Sequence, residues 1–161
     1  MKKISIIIIA FFILNLISSC SGYKPIFSST NLNYEILYVS IEGDEKLGKE
    51  IHNKLKIFLN TKEKNKNKSI NLYLNSKKDK IATVKDSSGK IKEYKIVLST
   101  NVKVNDYLTD KKILNQNFSF STSYEVQNNY SETVNLENKS IENLLNKTFQ
   151  ELIIKLTESM N

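Results

Sequence analysis

The sequence is poor in the residue types that enzymes and metal sites most often use. Its 161 residues include one Cys, one Pro, one His, four Gly and no Trp, and every basic side chain other than the His is a lysine. A single Cys forms no intramolecular disulfide, and a metal site needs several Cys, His or carboxylate ligands at fixed spacing. His52 lies within the first predicted helix, one residue after the apolar Ile51, which favours a solvated or boundary position over a general base. We therefore expect a binding or scaffold protein, not an enzyme, and no cofactor.

The N-terminal segment has the pattern of an export signal. Met1-Lys2-Lys3 is a short positive segment, and residues 4–17 are almost wholly apolar. This run is shorter than the roughly 20 residues that span a bilayer as a helix. A positive flank, a short apolar run and small residues are typical of a secretory signal peptide. We predict that residues 1–19 are a signal that is removed.

The residues before the only Cys resemble the lipobox of bacterial lipoproteins. Ile17-Ser18-Ser19 places an aliphatic and two small residues before Cys20. The resemblance implies lipid attachment to the Cys20 sulfur, cleavage before Cys20 and acylation of the new N-terminus. Each buried methylene then contributes about 0.8 kcal/mol to membrane anchoring. Ser21 follows where an inner-membrane retention signal often has Asp, and by resemblance to enterobacterial sorting this favours the outer membrane. The alternative is a secreted protein with an incidental Cys, but an unpaired thiol in an exported chain requires an explanation.

Hydrophobic periodicity predicts a single α+β domain over residues 34–161, after an extended leader at residues 20–33. Apolar residues at helical spacing predict two helices, and alternating or β-branched segments predict the strands. The predicted helices cover residues 45–60, with Asp44 as N-cap, and 136–160, after a polar linker at 127–135. The predicted strands cover residues 35–42, 69–76, 80–85, 93–105 and 113–126, with a bend or bulge near 77–79. Two helices on one face of a roughly four-stranded, mixed or antiparallel sheet bury every apolar face, while the other face is polar.

Lysines are concentrated in two parts of the chain, whose net charge is +7. Seven of them lie around a predicted turn at residues 86–90: Lys77, Lys78, Lys80, Lys85, Lys90, Lys92 and Lys95. Four others alternate along the polar loop at residues 61–68. A solvated surface explains these groups as well as an anion-binding edge does. For an exported lipoprotein, nucleic acid is a poor candidate partner and a phosphorylated lipid is a better one.

The residues after the Cys resemble the start of a known family of lipoproteins. Cys20-Ser21-Gly22-Tyr23-Lys24-Pro25-Ile26-Phe27 is similar to the mature N-terminus of the lipopolysaccharide-assembly lipoprotein family LptE, as found in alphaproteobacteria, with Ser21 as an inserted residue. The predicted order of strands and helices agrees with that family over nearly the whole mature chain. The family fold is two helices on a four-stranded sheet.

The resemblance to the LptE family implies a function. It implies an outer-membrane lipoprotein that faces the periplasm, plugs and helps to assemble the β-barrel LptD, and takes part in lipopolysaccharide delivery. It also implies that basic residues at one end of the sheet bind the lipid phosphates, and Lys85, Lys90 and Lys92, around the turn at residues 86–90, are the candidates by position. The alternative is an auxiliary lipoprotein of another envelope lipid-transport system that works with an ABC-type transporter.

Overall fold

The structure, a computed structural model, describes residues 34–60 and 68–160. Four strands form one sheet in the order β1-β2-β3-β4, in which β1 and β2 are parallel and the other neighbours are antiparallel. Two helices cover one face of this sheet, which confirms the predicted α+β fold. The strands are β1 (Tyr34–Gly43), β2 (Lys68–Lys85), β3 (Ile91–Asp106) and β4 (Lys112–Glu125), and the helices are α1 (Glu45–Asn60) and α2 (Tyr130–Met160).

The apolar core lies between the two helices and the covered face of the sheet. Every second residue of β2 from Ile70 to Leu74 is buried there, as the alternation in the sequence predicted. Full burial of one such aliphatic side chain contributes about 1.5–3 kcal/mol to stability. The core therefore depends on residues from both helices and the sheet, including Ile51, Leu55, Leu72, Leu98, Val102, Leu152 and Leu156.

The start of α1 depends on two residues, Asp44 just before the helix and Gly48 within it. The Asp44 Oδ1 atom accepts a hydrogen bond of 3.2 Å from the Leu47 backbone N–H, which confirms Asp44 as the N-cap. A Cβ atom at Gly48 would lie 2.4 Å from Ile41 Cγ2 of β1. Glycine costs a helix up to about 1 kcal/mol relative to alanine. At position 48 this cost permits α1 to pack closely on the sheet.

Two boundaries differ from the sequence prediction. β2 continues without a break through residues 77–79, where a bend or bulge was expected, and its pairing with β3 is irregular only at residues 82–85. The prediction was wrong because the cross-strand partners on β3 keep the ladder regular through the lysines. α2 begins at Tyr130, inside the predicted linker. Its first turn is polar and capped by Asn129, whose Oδ1 accepts the Ser131 N–H at 2.9 Å, so no apolar periodicity marks this start.

Several sequence predictions lie outside the described residues. These are the signal at 1–19, the lipidated Cys20, the leader at 20–33 and the lysines of the 61–67 loop, and they stay predictions. Within residues 34–60 and 68–160, neither helix combines the length and apolar character required to cross a membrane.

Candidate functional site

The far half of β2 and β3 forms a hairpin that extends past the end of β1. β1 ends at Gly43, which is opposite Ser76 of β2. Beyond this point β2 pairs with β3 alone, beginning with the pair of Lys77 and Ser99. We call residues 77–99 the distal hairpin and the rest of the described chain the body.

The distal hairpin carries the positive charge of the described chain. It contains seven lysines and three acidic residues, a formal charge of +4. The body contains eleven lysines and thirteen acidic residues, a formal charge of −2. A region of one sign attracts ligands of the opposite sign and raises their rate of association. The net charges of the body and the distal hairpin have opposite signs, so we expect an anion to be attracted to the hairpin.

The turn at the end of the distal hairpin is held in a fixed shape by Asp86. Its Oδ1 atom accepts hydrogen bonds from the Ser88 hydroxyl at 2.6 Å and from the backbone N–H groups of Ser88 and Lys90 at 3.0 Å each. These hydrogen bonds, with the nearby charge of Lys92, hold the pKa of Asp86 below its ordinary value. Gly89 supplies the positive φ that the turn requires.

The structure brings the three lysines that the family resemblance indicated to this turn. Lys85, Lys90 and Lys92 are all exposed, at the last residue of β2, in the turn and near the start of β3. Lys92 Nζ lies 3.7 Å from Asp86 Oδ2. An exposed ion pair contributes at most about 1 kcal/mol, so this contact leaves Lys92 able to bind an anion. Lys85 and Lys90 form no ion pair with any described carboxylate.

A fourth lysine of the same cluster has a structural role that the sequence did not reveal. Lys80 Nζ forms an ion pair with the Glu137 carboxylate of α2 and lies 4.3 Å from the centre of the Tyr94 ring. The Tyr124 hydroxyl donates a 2.9 Å hydrogen bond to Glu137, and its ring stacks on Tyr94 at 5.9 Å. These four residues, the Lys80 cluster, join the base of the distal hairpin to β4 and α2.

The Lys80 cluster keeps both of its charges at neutral pH. Burial lowers the pKa of Lys80. Hydrogen bonds to Glu137 and Tyr124 and the charge of Glu137 raise this pKa by more than burial lowers it, so the pKa lies above its ordinary value. Burial raises the pKa of Glu137, and its contacts with Lys80 and Tyr124 reverse this, so its pKa lies below its ordinary value. Lys80 is thus engaged within the protein. Its partner is 57 positions away, and no local sequence pattern indicates such a pair.

His52 is half-buried, as expected for a boundary position. It lines a groove of about 280 Å³ between β1 and α1. Burial, with a smaller contribution from the charge of Lys56, lowers the pKa of His52. Its side chain has no hydrogen-bonding partner among the described residues, and no group of three or more potential metal ligands occurs within residues 34–60 and 68–160.

The fold is similar to the folds of solved bacterial lipoproteins. Lipoprotein B from Nitrosomonas europaea is 11% identical, with a TM-score of 0.58 over 84% of this chain and 90% of that chain. A minor lipoprotein from Acinetobacter baumannii is 14% identical, with a TM-score of 0.55 over 79% of this chain and 93% of that chain. No family model and no curated protein matches the sequence. At these identities the likeness shows a shared fold.

Proposed function

We propose that the chain is an outer-membrane lipoprotein of the lipopolysaccharide translocon, anchored through Cys20. In this role it plugs its β-barrel partner, which is LptD-like, supports the assembly of that barrel, and binds lipopolysaccharide through Lys85, Lys90 and Lys92. The N-terminal resemblance to the LptE family and the fold that it shares with solved lipoproteins support the proposal.

The observation that carries the lipid-binding part of the proposal is the separation of charge. The exposed tip of a net-positive hairpin presents three lysines on a turn that Asp86 holds in a fixed shape. Lysine binds phosphate as a point charge and lacks the bidentate geometry of arginine. A cluster of lysines therefore suits a ligand with several phosphates better than a ligand with a single planar carboxylate.

Crosslinking in the outer membrane tests the partner. A photo-crosslinker at exposed positions of the body is expected to capture one large β-barrel, and loss of the protein is expected to impair maturation of that barrel. Recovery of inner-membrane transporter subunits in its place would overturn the proposal in favour of the other lipid-transport system. Recovery of the protein alone, with normal barrel maturation, would also overturn it.

Charge reversal tests the lysines. The triple variant Lys85→Glu, Lys90→Glu and Lys92→Glu is expected to weaken lipopolysaccharide binding at least ten-fold at low salt, because three charges change sign at one turn and the net charge falls by about six units. The matched control reverses three exposed lysines of the body: Lys111, Lys112 and Lys139. Binding is measured by titration, with barrel crosslinking as the second readout. Equal weakening in both variants would show a general charge effect and no site.

A further inference from the structure

A β-bulge near the end of β2 places two aliphatic side chains on one surface of the distal hairpin. Ile81 is paired with Lys95, and Val84 with Glu93, so three positions on β2 match two on β3. Partners directly across an antiparallel pair point to the same face, and residues two apart on one strand also do so. Ile81 and Val84 therefore lie on the same face, whereas in a regular strand residues three positions apart point to opposite faces. The bulge has re-aimed Val84.

The bulge also gives the acidic group beside these side chains a hydrogen-bond donor. The Thr83 hydroxyl donates a 2.6 Å hydrogen bond to Glu93 Oε1. Glu93 is on the same face as Ile81 and Val84, and this bond satisfies one of its carboxylate oxygens. Lys95, the cross-strand partner of Ile81, lies on this face, and Lys85 follows Val84. Two further acidic residues share the face: Asp79, which forms an ion pair with Lys77, and Glu125, which is opposite Glu93.

The pair lies on the face of the sheet that the helices do not cover. Ile81 and Val84 are 50% and 47% exposed, whereas most large aliphatic residues of the strands are buried. In the body the same face is polar, and Asn75, Asn101 and Asn117 form one row across three strands. The uncovered face thus changes from asparagine and serine in the body to isoleucine and valine in the distal hairpin.

We infer that Ile81 and Val84 form the acyl-chain contact of the phosphate-binding hairpin, whose ligand is a phosphorylated, acylated lipid. Lysines beside exposed aliphatic groups match the boundary between lipid phosphates and acyl chains, because the lysines attract the phosphates and the aliphatic groups contact the acyl chains. A polyanion without acyl chains satisfies the lysines alone. This inference rests on the proposed function and adds the requirement for acyl chains.

The first experiment places a reporter on this face. The chain from residue 20 with Cys20→Ser has no other thiol, and the described core lies wholly in residues 34–160. It receives an environment-sensitive fluorophore at Val84→Cys or, as the matched control, at Asn117→Cys, which is exposed on the same face of the body. Lipopolysaccharide is expected to shift the emission to the blue at position 84 only. Lipopolysaccharide without its acyl chains is expected to cause no shift.

The second experiment removes the aliphatic surface. Ile81→Ser with Val84→Ser is expected to lower affinity for intact lipopolysaccharide about ten-fold, since two half-exposed aliphatic contacts are lost. Affinity for the deacylated molecule is expected to stay unchanged. The control is Leu37→Ser with Leu108→Ser, two exposed leucines of the body, which is expected to bind both ligands as the wild type does.

The outcomes separate this inference from the proposed function. If the lysine reversals weaken binding but position 84 reports no change, or the serine variant binds intact lipopolysaccharide normally, the acyl contact is overturned and the phosphate site stands. If the lysine reversals have no effect, the phosphate site itself is overturned. Equal responses to intact and deacylated lipopolysaccharide would also overturn the acyl contact.

Discussion

β2 is one continuous strand whose two halves have different surroundings. From Ile70 to Ser76 it lies between β1 and β3, and its inward side chains are completely buried beneath the helices. From Lys77 to Lys85 it has β3 on one side only, and most of its side chains are exposed. The change follows from the end of β1 at Gly43, so neighbouring elements, and not strand propensity, decide what each half does.

The consequence is a division between stability and binding. The near half of β2 supplies Ile70, Leu72 and Leu74 to the core. Lysines in the far half stay in water at little cost, and charged side chains also protect an unpaired strand edge from unwanted pairing. The far half can therefore change its surface without loss of the core.

The largest expected difference between the two halves is in stability. Leu72→Ala should lower the free energy of unfolding by about 2–5 kcal/mol, because Leu72 is fully buried and its loss leaves a cavity. Ile81→Ala should lower it by less than about 1 kcal/mol, because Ile81 is half exposed. Urea unfolding monitored by circular dichroism measures both. Equal losses would show that the far half of β2 contributes to the core as much as the near half does and would contradict the division.

An intermediate effect is expected where α1 meets β1. Gly48→Ala should destabilise the protein by about 1–3 kcal/mol, because the added methyl group overlaps with Ile41. Helix propensity alone predicts the opposite sign, a gain of up to about 1 kcal/mol. The control Asn53→Ala, on the exposed side of α1, should be neutral or slightly stabilising. A gain at both positions would show that α1 does not need its close approach to the sheet.

The sequence was sufficient to predict the body. Two patterns in the sequence indicate burial on one face: the alternation of Ile70, Leu72 and Leu74, and the helical spacing of apolar residues from Leu47 to Leu59. Burial in turn determines how the elements pack. The helix over residues 45–60, its N-cap and the two-layer arrangement are accordingly confirmed. The polar start of α2 was missed because its first turn buries little.

The distal hairpin was less predictable, because its important features depend on register. Lys80 looks like its neighbouring lysines until pairing places it beside Tyr94 and, through α2, beside Glu137. Ile81 and Val84 are three positions apart, and only the bulge at Thr83 places them on one face. By contrast, the position of Lys85, Lys90 and Lys92 at a turn was predictable, since Asp86, Ser88 and Gly89 form a recognisable turn sequence.

The connection between the two regions can be tested through Glu137. Glu137→Gln removes the ion pair with Lys80 but keeps the shape of the side chain, and should cost about 1 kcal/mol at neutral pH, because the pair is only partly buried. Backbone amides at the base of the distal hairpin are expected to exchange hydrogen faster, while those of β1 are unchanged. The control Glu142→Gln, exposed on the same helix, should alter neither quantity.

The pH dependence gives the smallest and most specific effect. The pKa of Glu137 is below its ordinary value of 4.5 in the folded protein, so its contribution is complete above the unfolded pKa and is lost as the pH falls through the folded pKa. The raised pKa of Lys80 affects stability only in strongly basic solution. The difference between wild type and Glu137→Gln in urea unfolding should therefore decrease as the pH falls below 4.5. A difference that stays the same over this range would mean that the glutamine disturbs packing and that the charge pair does not join the two regions.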